Sequence, residues 1–326
     1  MATRNLSELR ERAASGDPEA RLALGLRLLG GEGDATEGSA LIEAECEAGS
    51  AEAAALLATL EAMGAARPQS WPRALDYLEL AARRGSQRAQ AQLAMLGRDS
   101  PPDDGGERWQ RLRQGIDIAA LTASPPRRPV SEQPRIRVIE GFASPSECDW
   151  VIALARGRLN PAWVWDPVTG ENRPDPSRTN RGLDLGPAEM DLVVQVLRAR
   201  IATASNLPLP VFEPAQIMHY SVGQEFRPHH DYLDPAQAGD RTQIARLGQR
   251  IATFLLYLND DYEGGETHFL KTGFSYRGRK GDALLFANVD AARAPDPLTI
   301  HAGRPPTRGE KWILSQWIRD RSPGPA

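Results

Sequence analysis

The stretch FRPHHDYLDP, residues 226–235, places two histidines and an aspartate side by side. Imidazoles and carboxylates are common ligands of transition metals. In an extended strand, residues i and i+2 point to one side and residue i+1 points to the other. His229 and Asp231 can therefore converge on one ion, whereas His230 faces away. The spacing predicts two ligands of a metal site; the alternative is a set of polar residues in a surface turn.

A third ligand must come from elsewhere in the chain. All five histidines lie after residue 218, so the candidates are His219, His268 and His301. Two histidines and one carboxylate form the facial triad of non-haem Fe(II) oxygenases, which leaves open coordination positions. We favour His301, because it lies in an apolar stretch shortly before Lys311. We interpret His219 and His268 as structural.

Lys311 is one of only three lysines in the chain. Iron enzymes of the facial-triad type use 2-oxoglutarate as co-substrate. Its keto acid end occupies two positions on the metal, and its 5-carboxylate needs a cation. Lys311, on the strand predicted after His301, can supply that cation. Taken alone, Lys311 would be interpreted as a solvated strand end.

The residues from 131 onward supply the elements that would position this site. A strand is predicted at 135–142, followed by a helix at 144–157 with Ser144 as its cap and Pro145 at its first position. A second helix is predicted at 187–205. After residue 211, short strands alternate with turns rich in Gly and Asp, which favours a sandwich or a barrel.

The N-terminal residues 1–97 contain an internal repeat. Gly, Ala and Leu recur at steps of four residues in three segments, SGDPEARLALG, AGSAEAAALLA and RGSQRAQAQLA. The three segments are spaced 33 and 36 residues apart, a period typical of helix–turn–helix solenoids, in which Gly ends the preceding helix. The pattern resembles Sel-one-like repeats, relatives of the tetratricopeptide repeat. We predict an N-terminal α-solenoid at 1–97, a linker with a short helix at 98–130, and a third region at 131–322.

Composition narrows the classes of partner. The net charge of −4 argues against nucleic acid as the main partner. No stretch reaches the roughly 18 apolar residues of a membrane span, and the N-terminus lacks the apolar core of a secretory signal. Two cysteines without a pairing pattern predict a reducing, cytoplasmic location.

Residues 135–320 resemble the catalytic domain of prolyl 4-hydroxylase-like Fe(II)/2-oxoglutarate dioxygenases. Four segments match in order: QIMHYSVGQEFRPHHDYL, GQRIATFLLYLNDDYEGGETHF, RKGDALLFAN and PDPLTIHAGRPPTRGEKWILSQWIRD. The resemblance implies a double-stranded β-helix, or jelly roll, with flanking helices. It implies Fe(II), 2-oxoglutarate and O2 as cofactors, with ascorbate as a further candidate.

By position, the resemblance also implies site residues. The implied iron ligands are His229, Asp231 and His301. Those implied for 2-oxoglutarate are Lys311, Tyr220, Tyr257 and Thr253. Those implied for the substrate are Arg250, Trp317, Arg178 and Phe226, with Phe226 standing where the family often has tyrosine. The segment WVWDPVTGENRPDP, residues 163–176, is interpreted as a mobile lid, and LDPAQAGDRTQIARLG, residues 233–248, differs from the corresponding loop of the family.

The function predicted from these features is hydroxylation of a C–H bond, on a prolyl residue of a peptide or protein, with release of succinate and CO2. The helical repeats would recruit that target. One alternative is hydroxylation of a free amino acid or small metabolite. Another, of a different class, is a scaffold with a barrel that no longer catalyses.

Overall fold

The computed structural model describes residues 6–97 and 107–322, and it combines helices with antiparallel sheets. The chain divides into two compact units. The first unit comprises Met1–Thr122 and Gly186–Arg198, and the second comprises Ala123–Leu185 and Ala199–Ala326. Residues 98–106 of the predicted linker, and residues 1–5, lie outside the described part of the chain.

The helices of the structure are α1 (Leu6–Ala14), α2 (Pro18–Arg27), α3 (Ala35–Glu47), α4 (Ala51–Met63), α5 (Trp71–Arg83), α6 (Gln87–Gly97), α7 (Glu107–Gly115), α8 (Ile118–Thr122), α9 (Pro145–Ala155), α10 (Leu192–Ser205) and α11 (Ala238–Leu247). A short π-helical turn follows α2 at Leu28–Glu32, and 3₁₀ turns lie at Leu209–Val211 and Pro297–Thr299.

Local signals in the sequence set the ends of the N-terminal helices. The side chains of Asp17, Asp34, Ser50 and Ser70 accept hydrogen bonds from backbone N–H groups of α2, α3, α4 and α5. These caps satisfy donors that have no partner within the helix. The repeated glycines, predicted to end helices, adopt positive φ after α1, α3 and α5, which confirms that prediction (Gly16, Gly49 and Gly85).

Small residues let the helices of the first unit approach closely. Gly25 of α2 faces Gly38 of α3, where a Cβ on either glycine would come within 2.8 Å of the carbonyl oxygen of the other. Residues 186–198 belong to this unit. Arg88 pairs with Asp191 at 3.0 Å, and the Gln92 side chain accepts from the Leu192 backbone at 2.9 Å.

The strands of the second unit are β1 (Arg128–Glu132), β2 (Arg135–Ile139), β3 (Asn160–Pro161), β4 (Val164–Asp166), β5 (Glu171–Arg173), β6 (Arg181–Leu185), β7 (Ala215–Tyr220), β8 (Phe226–His229), β9 (Arg250–Tyr257), β10 (Glu263–Gly264), β11 (Thr267–Phe269), β12 (Ser275–Tyr276), β13 (Ala283–Ala287), β14 (His301–Gly303), β15 (Pro306–Arg308) and β16 (Lys311–Arg319).

Two antiparallel sheets build the core of the second unit. The larger has the order β1-β2-β13-β9-β16-β7-β6-β3, and the smaller has the order β12-β11-β14-β8. Alternate residues of β9, β13, β16 and β7 form one buried cluster with Phe269 of the smaller sheet. Because side chains alternate between faces of a strand, the face that carries this cluster also carries the side chains discussed below.

Helices cover another part of the larger sheet. Ser144 caps the start of α9, as the sequence predicted, and Glu147 completes a capping box. Arg200 of α10 pairs with Glu147 at 2.9 Å and donates to the Phe142 carbonyl at 2.8 Å. Phe142 in turn packs on Phe254 of β9, with ring centroids 4.7 Å apart.

Some elements differ from the expectation. Helix α10 begins at Leu192, later than predicted, because Asp191 caps the backbone N–H of Val194. The segment 233–248 contains α11, and β4 and β5 pair as a hairpin within the predicted lid. Strand β1 begins at Arg128, inside the range predicted as linker, because it pairs with β2.

Both cysteines are buried and free of disulfides. Burial raises the pKa of the Cys148 thiol to about 12. Within residues 6–97 and 107–322, none of the helices has the length and apolar character needed to cross a membrane.

Candidate metal centre and co-substrate cavity

Strand pairing brings two histidines together. His301, the first residue of β14, is the direct antiparallel partner of His229, the last residue of β8. Residues that face each other across an antiparallel pair project to the same side of the sheet. The two imidazole centroids are accordingly 4.3 Å apart. Asp231 lies two residues beyond His229 and turns its carboxylate toward both rings.

The three side chains present their donor atoms to a common point. His229 Nε2 lies 3.6 Å from Asp231 Oδ1, and His301 Nε2 lies 3.7 Å from Asp231 Oδ2. One ligand atom from each residue lies within 4.8 Å of the others. Each Nδ1–H donates to a backbone carbonyl, His229 to Arg227 at 2.8 Å and His301 to Thr299 at 2.9 Å. These bonds fix the tautomer, so both Nε2 lone pairs are available to a metal.

Charge and burial shift the pKa values of Asp231 and His301 toward the protonation states that bind a metal. Burial by itself would raise the pKa of Asp231, but His301, His229 and the Thr253 hydroxyl outweigh it and hold that pKa well below its usual range. Burial, with the neighbouring His229, lowers the pKa of His301 to about 4. At neutral pH the site therefore offers a carboxylate and, at His301, a neutral imidazole.

Two buried polar side chains form a hydrogen-bond chain that ends at the Asp231 carboxylate. Thr253 Oγ1 donates to Asp231 Oδ2 at 2.7 Å, and Asn288 Nδ2 donates to Thr253 Oγ1 at 2.9 Å. Both supporting residues are fully buried. Thr253, which the resemblance implied for 2-oxoglutarate, therefore contacts the carboxylate of the candidate metal site.

We expect Thr253→Val to weaken Fe(II) binding by about 10–100-fold, because outer partners of metal ligands contribute on that scale. Valine keeps the branched shape and removes the hydroxyl that orients Asp231. Thr253→Ser is the matched control and should bind Fe(II) as the wild type does. Anaerobic Fe(II) titration of the two variants measures the effect, and equal affinities would show that the hydroxyl does not support the site.

Lys311 lies at the closed end of the same face. It is 1% exposed and sits opposite Tyr220 in the β16–β7 register. Its ammonium donates to the Gly265 carbonyl at 2.6 Å and lies 5.3 Å from the Tyr220 ring centroid. Among the described residues, no carboxylate lies within 4 Å of this nitrogen. Burial lowers the pKa of Lys311 to about 7, although the charge of Glu266 acts to raise it.

A narrow cavity connects the triad to Lys311. Its free volume is about 30 Å³, enough to hold a water molecule. Ser315, which lies four residues after Lys311 on the same face of β16, also lines the cavity. The buried hydroxyl of Ser315 has no hydrogen-bond partner among the described residues. The other lining residues include Met218, Tyr220, Leu255, Thr267, Gly303, Ile313 and Trp317.

A much larger groove adjoins this cavity. It has a volume of about 670 Å³ and shares His229, Asp231, Phe226 and Trp317 with the cavity. The indole rings of Trp163 and Trp165 form part of its wall, together with Tyr232. The triad therefore lies where a small cavity that reaches Lys311 meets a wide groove with several aromatic side chains in its wall.

Comparison with known proteins identifies the family. Residues 215–319 match the model of the 2OG-Fe(II) oxygenase superfamily. Prolyl 4-hydroxylase 1 of Arabidopsis thaliana is 37% identical over 207 residues, a match that covers 59% of this chain and 71% of that protein. The chain belongs to the 2OG-Fe(II) oxygenase superfamily. This oxygenase is an enzyme whose domain is prolyl 4-hydroxylase-like, and its cofactors are Fe(II), 2-oxoglutarate and O2.

Two further similarities concern the same domain of the oxygenase. Probable prolyl 4-hydroxylase 7 of Arabidopsis thaliana is 36% identical over 211 residues, which cover 59% of this chain and 65% of that protein. The solved structure of viral collagen prolyl hydroxylase vCPH from Paramecium Bursaria Chlorella virus-1, as a 2OG complex, is 28% identical with a TM-score of 0.43. That match covers 56% of this chain and 95% of the viral chain.

The side chains present in the oxygenase fit these cofactors. The triad supplies one carboxylate and two imidazoles, a donor set suited to Fe(II). The buried ammonium of Lys311 and the unpartnered hydroxyl of Ser315 suit a carboxylate.

Of the residues that the resemblance implied for 2-oxoglutarate, Lys311 and Tyr220 line the cavity. Tyr257 is fully buried beside it, and its hydroxyl donates to Thr267 Oγ1 at 2.9 Å. Ser315 and Thr267 were not predicted from the sequence. Ser315 could have been found from strand alternation, since it shares a face with Lys311, whereas Thr267 gave no signal.

The four residues implied for the substrate all line the groove of the oxygenase. Arg250 also forms a two-point ion pair with Glu213, at 2.6 and 2.8 Å, and lies 4.3 Å from the Trp317 ring centroid. Glu213 also pairs with Arg319 at 2.7 Å, so this one carboxylate serves two guanidinium groups. Arg178 is 7% exposed and is held by neutral partners, namely Asn180, Gln216, Met218 and the Trp163 carbonyl.

The β4–β5 hairpin forms one wall of the groove and is attached to α11. Trp165 Nε1 donates to Asp240 Oδ1 at 2.7 Å, and the backbone N–H of Gly239 donates to the Pro167 carbonyl at 2.8 Å. A Cβ at Gly239 would lie 2.7 Å from that carbonyl oxygen, so the close approach requires glycine.

The remaining histidines take no part in the triad. His230 turns toward Tyr232, with ring centroids 4.5 Å apart. His219 pairs with Glu310 at 2.8 Å, and His268 Nδ1 lies 2.7 Å from Ser275 Oγ. These contacts account for all three side chains without a metal.

Proposed function

We propose that this oxygenase hydroxylates a prolyl residue within a peptide or protein, with succinate and CO2 as co-products. The observation that carries the proposal is the continuity of the triad with both a cavity that ends at a buried lysine and a wide aromatic groove. The similarity to prolyl 4-hydroxylases supports it.

In this proposal, His229, Asp231 and His301 hold Fe(II), and Lys311 with Tyr220 binds the 5-carboxylate end of 2-oxoglutarate. When bound, Fe(II) would supply the oxidation in which one oxygen atom of O2 enters succinate as 2-oxoglutarate loses CO2, and the other enters the C–H bond of the target. The protein itself orients both substrates and excludes water from the cavity. Thr253 and Asn288 hold the Asp231 carboxylate in place, and Tyr257 braces Thr267.

The size and lining of the groove favour a peptide over a free amino acid. A volume of about 670 Å³ falls within the range of about 300–1,000 Å³ typical of pockets that bury a drug-sized ligand, which is larger than a single amino acid. Aromatic grooves are also the usual docking surface for extended, proline-rich segments. A single amino acid would leave most of this surface in contact with water.

Succinate release tests the proposal. Fe(II)-loaded protein is incubated with 2-oxoglutarate and ascorbate, and with either proline-containing peptides or free amino acids. We expect peptides to stimulate succinate release above the target-free background and to gain about 16 Da at proline. Stimulation by free amino acids alone would favour the alternative function. Stimulation by neither class would remove support from both.

The titration of Lys311 predicts a pH dependence for 2-oxoglutarate binding. The free protein has a Lys311 pKa of about 7, and a bound carboxylate raises that pKa because it favours the charged amine. Below pH 7 the lysine is already protonated, so affinity should be nearly constant. Above pH 7 each binding event must take up a proton, and affinity should fall by about tenfold between pH 6 and pH 8.

Isothermal titration of Mn(II)-loaded protein under nitrogen measures this dependence, and buffers of different ionisation enthalpy report the proton uptake. The matched control is Lys311→Met, which should bind more weakly at every pH and lose the dependence. Equal affinity of the wild type at pH 6 and pH 8 would contradict the prediction.

We further propose that the two antiparallel sheets of the second unit form a jelly roll, and that the helices of the first unit are Sel-one-like repeats. The domain limits proposed from the sequence are 1–97, 98–130 and 131–322. Paired helices and repeated left-handed glycines support the repeat assignment. A cytoplasmic location and a role for ascorbate are parts of the same proposal and rest on sequence and resemblance.

The helical unit is proposed to recruit the target protein. Photo-crosslinking tests this in the full chain, with a photoreactive amino acid in place of Arg73, whose side chain is 62% exposed. We expect crosslinks to a protein that also gains 16 Da at proline when the oxygenase is active. Crosslinks only to other copies of this chain would contradict recruitment.

A further inference from the structure

The two candidate iron-binding imidazoles are held by similar hydrogen bonds but by different ring contacts. Each Nδ1–H donates to a carbonyl two residues back in its own chain. His301 is 4% exposed and packs against the buried rings of Phe269 and Phe286, at centroid distances of 5.5 and 5.0 Å. Its ring plane is therefore fixed on more than one side.

His229 has a more open environment. Its side chain is 18% exposed, because it borders the groove as well as the cavity. Apart from His301, the ring packed against it is that of Phe226 from the same strand. The two rings are nearly parallel, with an interplanar angle of 14° and centroids 3.5 Å apart. A face-to-face contact of this kind limits rotation of the imidazole about χ2.

Phe226 is itself held against an anchored group. The Arg178 guanidinium lies 4.8 Å from the centroid of the Phe226 ring, and the two residues form an isolated β-bridge. Arg178 cannot readily move, since hydrogen bonds tie it to Asn180 and to the Trp163 carbonyl, each at 3.0 Å. A guanidinium over an aromatic face is attractive, so Arg178 stabilises the position of the ring.

We propose that Phe226 is a positioning residue, which fixes the plane of the His229 imidazole so that Nε2 points to the metal. Its flat face on His229 is what this role requires. The resemblance implied that Phe226 contacts the substrate. A positioning role differs from this, because it affects metal binding even when no target is present. The inference rests on the proposed metal site but not on the identity of the target.

Two substitutions separate positioning from other roles. Phe226→Leu keeps an apolar side chain of similar bulk but removes the flat face, whereas Phe226→Tyr keeps the face. Co(II) binding is titrated in the absence of 2-oxoglutarate and target, with the visible d–d absorption as a signature of ligand geometry. We expect Phe226→Leu to bind about 10–100-fold more weakly with an altered spectrum, and Phe226→Tyr to match the wild type.

Wild-type Co(II) affinity and spectrum in Phe226→Leu would overturn the inference, and a change in the KM for peptide alone would return Phe226 to substrate binding. If Phe226→Leu does not fold, Phe226→Met is measured in its place, since it is a flexible side chain that also lacks a flat face. His229→Ala separates failure of the proposed metal site from failure of the positioning role. If His229→Ala still binds Co(II), the proposed metal site is wrong. If His229→Ala loses Co(II) and Phe226→Leu binds it normally, only the positioning role is wrong.

Discussion

Asp231→Ala is expected to yield a protein that folds, contains no stoichiometric iron and releases no succinate above background. The carboxylate is 5% exposed and is the only anionic donor of the described triad. Its removal leaves two imidazoles, which cannot neutralise a divalent cation. The loss of affinity should exceed the roughly 10–100-fold associated with an outer partner.

The neighbouring His230→Ala provides the matched control for this prediction. It lies one residue away in the same segment, and its ring contacts Tyr232 rather than the triad. Metal content of both variants after anaerobic loading with Fe(II), together with circular dichroism, measures the outcome. Full iron occupancy in Asp231→Ala, or equal loss in both variants, would contradict the assignment of ligands.

Lys311→Met is expected to raise the KM for 2-oxoglutarate while leaving Fe(II) affinity unchanged. Loss of one partner from a buried charge pair costs about 2–5 kcal/mol, which corresponds to about 30-fold to 5,000-fold in affinity. Methionine fills a similar volume, and burial already disfavours the charged amine, since it lowers the pKa of Lys311. The fold is therefore expected to persist.

Lys280→Met serves as the control for Lys311→Met. Lys280 is a lysine of the same unit that pairs with Asp149 at 2.6 Å, on a part of the surface away from the residues that line the cavity. Its KM for 2-oxoglutarate should equal that of the wild type. An unchanged KM in Lys311→Met would remove Lys311 from the co-substrate site.

The geometry around the triad was predictable where it depended on local rules. The convergence of His229 and Asp231 was predicted from strand alternation, although β8 ends at His229 and Asp231 lies in the bend that follows. The choice of His301 needed a long-range pairing that no local pattern contains, and it was reached through the neighbouring Lys311. The structure brings His229 and His301 together because β8 and β14 are paired in register.

Other features depended on contacts that the sequence does not encode locally. The hydroxyl of Thr253 faces Asp231, and that of Tyr257 faces Thr267, because of how β9 packs against its neighbours. The ion pair between Arg250 and Glu213 joins residues far apart in the chain. Helix α11 lies in a segment that the resemblance presented as a loop, but its last residues are good helix formers.

The attachment of the β4–β5 hairpin to α11 sets a thermodynamic limit on how often the hairpin separates from that helix. Breaking the bonds from Trp165 to Asp240 and from Gly239 to Pro167 costs about 2–4 kcal/mol in total. The detached state is then populated at about 3% to 0.1% at equilibrium. A target that can enter only after the hairpin swings away binds with an apparent affinity reduced by that fraction, so mutations that loosen the hairpin would tighten target binding without touching the iron.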